Sequence, residues 1–89
     1  MANKRTQKKI INQVCEALFT ECIAASLYGA GGPKENADAM LVSIVRMHDD
    51  FIRRVSHPEP GMPPRKYFKH LRDSFAAQVS EVIDQINTL

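Results

Sequence analysis

The chain has no tryptophan, six other aromatics, four glycines and two cysteines in 89 residues. It also lacks any stretch of strict apolar–polar alternation, so no strand or hairpin pattern competes with the helical periods described below. No metal-ligand pair, glycine-rich phosphate loop or nucleophile motif stands out. Cys15 and Cys22 lie seven residues apart on one helical segment, which separates their Cα atoms by about 10 Å, beyond the reach of a disulfide. A secreted disulfide scaffold is therefore excluded. Two reduced, buried thiols favour a cytoplasmic setting. Apolar residues make up 44% and charged residues 25% of the chain, which is ordinary globular usage and not the composition of a disordered segment. The length suits one domain with one core.

The basic start followed by apolar residues imitates a signal peptide. Asn12, Gln13, Glu16, Thr20 and Glu21 interrupt it too often for such a segment, and the expectation is no transmembrane helix.

What the chain does have is three amphipathic segments. From Thr6 to Tyr28, residues Ile11, Val14, Cys15, Leu18, Cys22 and Ala25 recur at three- and four-residue steps. Thr6 is the expected cap, and Gly29, Gly31, Gly32 and Pro33 end the segment. A second helix is predicted from Pro33 to Ser56, with Ala37, Leu41, Ile44, His48, Phe51 and Val55 as its seam and Met40, Val45, Met47 and Ile52 widening that face. Ser56 to Pro64 holds four prolines and a glycine, a stiff connector over 57–64 that restarts a helix at Pro63 or Pro64. The third helix, about 64–88, carries Phe68, Leu71, Phe75, Val79, Val82, Ile86 and Leu89 at strict 3-4 spacing. Long helices with short connections predict an all-α, up-down-up antiparallel three-helix bundle, dimerised in turn into a larger bundle. Helix-turn-helix folds are excluded, because they need shorter helices and a shorter turn.

In that arrangement the start of the first helix, the end of the second and the start of the third share one end. Residues 1–12 and 46–75 carry eleven of the twelve Lys and Arg and only four of the ten acids. Several of these cations sit at helix N-termini, where the helix dipole disfavours them, and crowding them costs self-repulsion. Lys4, Arg5, Lys8, Lys9, Arg53, Arg54, Arg65, Lys66 and Lys69 are thus the candidate anion-binding residues. Nucleic acid, another polyanion, an acidic protein surface or anionic lipid headgroups are the partners this implies, with nucleic acid leading. Tyr67 beside Lys66 offers a stacking surface for a base.

The weaker constellations read as structural. Pairing the first two helices about Gly31 brings Cys15 level with His48, but both lie on apolar faces and Asp73 points away as an orienting acid. His57 and His70 lack metal-site spacing and stand among cations. Arg53-Arg54-Val55-Ser56 matches a basophilic kinase site, though matches this short are common by chance. No cofactor and no enzymatic activity are expected.

The last part of the first helix is apolar nearly all round. Phe19, Ile23 and Leu27 form a second stripe away from the seam, and a helix with two neighbours leaves part of such a stripe in water. These three are the candidate self-association residues of a helical interaction or assembly module whose partner is a second copy or another helical protein.

Overall fold

The structure, a computed structural model, describes residues 4–28 and 34–89. The described residues form three helices and no strand: α1 (Lys4–Tyr28), α2 (Lys34–Ser56) and α3 (Pro64–Asn87). The chain is all-α, as the periodicity predicts. The molecule is elongated, 46 × 19 × 16 Å.

Each helix forms for a reason visible in its residues. α1 buries Gln7, Ile11, Cys15, Leu18 and Cys22, one face at three- and four-residue steps. Thr6 lies inside its first turn, because the helix already begins at Lys4; it does not cap the start as expected. The expected stop at Gly29–Pro33 lies outside the described residues. α2 buries Ala37, Ile44, Met47, Phe51 and Val55, with Glu35 in its first turn and Arg53 and Arg54 in its last, signs that both suit the helix dipole. Its buried face is turned slightly from the expected one. Met47 is buried, Leu41 and His48 are half-buried, and Val45 is exposed. α3 starts where the prolines predict: Pro63 is its N-cap and Pro64 its first residue. A proline at that position forfeits no helical bond, since the first amides of a helix have no intrahelical partner. Thr88 closes α3, its backbone N–H and its hydroxyl both donating to the Gln85 carbonyl.

All three helices feed one core. Phe51, with no exposed surface, meets Phe75 edge to face with ring centroids 5.1 Å apart, a geometry that the ring quadrupoles favour. Ile44, Val55 and Cys22 complete the fully enclosed set. The Cys22 thiol donates to the Ala37 carbonyl across the α1–α2 contact at 3.7 Å. α1 and α2 pack more closely on each other than either does on α3.

Tyr67 joins α3 to the end of α2. Its ring packs against the core and lies edge-on to Phe68, and its hydroxyl donates to the Arg54 carbonyl at 2.9 Å. That carbonyl lies in the last turn of α2, where no helical amide follows to satisfy it. Tyr67→Phe is expected to cost about 1 kcal/mol through this lost hydrogen bond, read as a lower urea midpoint with unchanged helical circular dichroism.

Candidate functional site

Two surfaces and one polar cluster carry the residues singled out above. The cationic residues occupy the first turns of α1, the last turn of α2 and the first turns of α3. Lys4, Arg5, Lys9, Arg53, Arg54, Arg65, Lys66 and Lys69 are exposed, and Lys8 is half-buried. The Tyr67–Arg54 hydrogen bond holds the end of α2 against the start of α3. Gln7 and Ile10 of α1 line one groove with Leu71 and Arg72 of α3, which brings the start of α1 to the same region. Two residues behave differently from expectation. Arg54 is engaged inside the chain, in an ion pair with Asp50 at 2.8 Å and over the Phe51 ring at 4.8 Å. Tyr67 is half-buried with its hydroxyl committed, so it is a strut and not an open stacking platform for a base.

The polar cluster sits on the outer face of the α1–α2 pair. Asn12, Cys15, Glu16, Phe19, Thr20, Ile44, Val45 and His48 line a shallow depression there. His48 Nδ1 lies 3.1 Å from Asp49 Oδ1, and Nε2 meets the side-chain oxygen of Asn12 on α1. The acid beside His48 is thus its chain neighbour and not Asp73 of α3. Cys15 lines the same depression but is buried, and burial raises its thiol pKa, as it does that of Cys22. A raised pKa opposes the thiolate that a nucleophile needs. With Nε2 taken by Asn12, the imidazole bridges two helices. Among the described residues no three or more His, Cys, Asp or Glu side chains gather as a metal site would require.

The apolar stripe is where the sequence places it. On α1, Phe19 and Ile23 are a little over a third exposed and Leu27 is 68% exposed. Phe19 lines the depression together with Val45 of α2, itself 46% exposed, so the stripe continues onto the second helix. One further property of α1 departs from expectation: by length and composition it could cross a membrane. From Ile10 to Tyr28 its only charged residues are Glu16 and Glu21, because the polar residues that interrupt the run are otherwise uncharged. The same segment supplies Ile11, Cys15, Leu18 and Cys22 to the core.

A second apolar surface escaped the sequence reading. On the opposite flank of α1, Ile10 and Ile83 are nearly half exposed and border an open groove between α1 and α3. Val79, expected in the α3 seam, is half-buried at the middle of this groove. The available signal was Ile83, an apolar residue outside the 3-4 seam, together with the small residues Ala17 and Ala76 along the same groove.

Comparison with protein-family models, curated proteins and solved structures finds no match to this chain.

The buried thiols generate a pH prediction. Burial raises their pKa values above the ordinary thiol value of 9.0 in the folded chain, so above that pH the unfolded chain binds fewer protons than the folded one. Stability therefore falls as pH rises from about 9 upwards. Urea midpoints measured from neutral pH to mild alkali should show this fall, and a Cys15→Ala, Cys22→Ala double variant should show a shallower one. In the native protein neither thiol should react with iodoacetamide at the rate of a free thiol.

Proposed function

We propose that this protein is a small non-enzymatic helical assembly module that self-associates through the exposed stripe Phe19, Ile23 and Leu27. The helices run up, down and up, a reading supported by two contacts between α1 and α2. Cys22 meets Ala37 near one end and Asn12 meets His48 further along, so numbers rise on one helix as they fall on the other. The observation that carries the functional reading is the apolar surface that α1 leaves uncovered. Phe19, Ile23 and Leu27 are exposed on successive turns of α1, and Phe19 lines one depression with the exposed Val45 of α2; an apolar surface of this kind marks a protein contact. A second copy, or a helical partner offering a similar stripe, would bury it. The buried, reduced thiols suit a cytoplasmic protein, and α1 serves the core of the bundle in this reading and not a bilayer.

One observation favours a second reading. The starts of α1 and α3 and the end of α2 crowd exposed cations at one end of the molecule, and Arg54 is the one among them whose charge is met by an acid in the described ion pairs. Such an end would bind phosphates of nucleic acid or another polyanion without regard to sequence.

Two measurements test these readings. Ile23→Asp should halve the assembled mass in analytical ultracentrifugation while the circular dichroism stays helical; an unchanged mass removes the stripe as a contact. The Lys8→Gln, Lys9→Gln, Arg65→Gln, Lys66→Gln variant should lose retention on heparin, and an unaltered elution salt removes the polyanion reading.

A further inference from the structure

We propose that the groove between α1 and α3 is a second, independent interface, occupied by another copy of this chain lying antiparallel. The groove is built from two depressions of about 340 and 360 Å³ that share Val14 and Val79 at their junction. Its walls are almost wholly apolar, with Ile10 and Ala76 on one side of the junction and Ala17 and Ile83 on the other. Ala17 and Ala76 leave room between the projecting Ile10 and Ile83, so the groove suits a helical occupant.

Charge selects the occupant. Two oppositely charged residues overhang the groove: Arg72 lines one end and Glu21 the other. Neither takes part in an ion pair among the described residues. Arg72 lies seven residues before Val79 on α3, and Glu21 seven residues after Val14 on α1. Each is thus about 10 Å from the junction, in opposite directions along the groove. A two-fold axis lying across the groove at Val14 and Val79 reverses the direction of the second copy and brings its Glu21 level with Arg72 of the first. The symmetry then forms the same pair twice, as in any isologous interface. A parallel pairing would set Arg72 beside Arg72.

The whole molecule agrees with its groove. Residues 1–12 and 46–75 hold an excess of cations and the remainder an excess of acids. An antiparallel pair lays the cationic end of each copy beside the acidic end of the other, which relieves the self-repulsion of both. A partner with an unrelated charge pattern would gain no such match.

This inference does not depend on the Phe19 stripe, which lies on the other flank of α1, and sedimentation of five variants of the full chain separates the two. Glu21→Arg and Arg72→Glu should each halve the assembled mass, and the Glu21→Arg, Arg72→Glu double variant should restore it, because the pair is rebuilt with its signs exchanged. Ile23→Asp should leave a dimer that adding Glu21→Arg splits into monomers. Both charged positions are exposed, and circular dichroism checks that each variant keeps its helices. Unchanged mass in the single reversals, or no recovery in the double, overturns the groove contact. A monomer in Ile23→Asp alone also overturns it and leaves the stripe standing. An unchanged mass in Ile23→Asp with halving in Glu21→Arg does the reverse.

Discussion

The constraint on which the rest depends is that α1 carries more apolar surface than two neighbouring helices can cover. Its seam of Ile11, Cys15, Leu18 and Cys22 is buried, and this burial pins α2 and α3 around it. Beyond the seam, Ile10 projects on one flank and Phe19, Ile23 and Leu27 on the other. Burial contributes roughly 25 cal/mol for each Å² of apolar surface removed from water, so surface left over after folding is free energy available for association. The same excess makes α1 long and apolar enough to resemble a membrane-crossing segment.

The distribution of close and open packing follows from side-chain size. Cys22 against Ala37 is a contact between small residues, and it lets α1 and α2 approach closely. Between α1 and α3, the small residues Ala17 and Ala76 border the groove, which stays open. Polar contacts then trim the arrangement without driving it. The Asn12–His48–Asp49 cluster fixes one level of the α1–α2 pair, and Tyr67 fixes the joint between α2 and α3.

Much of this was legible in the residues. Three helical segments were legible, because prolines and the 3-4 apolar steps are local signals. The exposed stripe was legible too, as residues that no seam could absorb. Other features were not. Thr6 looked like a cap, yet helix continues back to Lys4. Tyr67 looked free beside Lys66, yet its hydroxyl reaches a carbonyl thirteen residues earlier. His48 was expected on the seam, but a small rotation of α2 moved Met47 inward and left His48 at the rim beside Asn12. A rotation of this size changes which residues are buried without changing any local period.

The sequence by itself determined that the chain is helical and which face of each helix is apolar. These follow from backbone hydrogen bonding and side-chain spacing within a few residues, so no distant partner is needed to read them. Only the tertiary structure decided that Val79 lies over a groove instead of inside the core, that Arg54 is neutralised by Asp50, and that Glu21 and Arg72 overhang the same channel. Those outcomes depend on the distance and rotation between helices, which the packing of Phe51, Phe75 and their neighbours sets and which no single segment encodes.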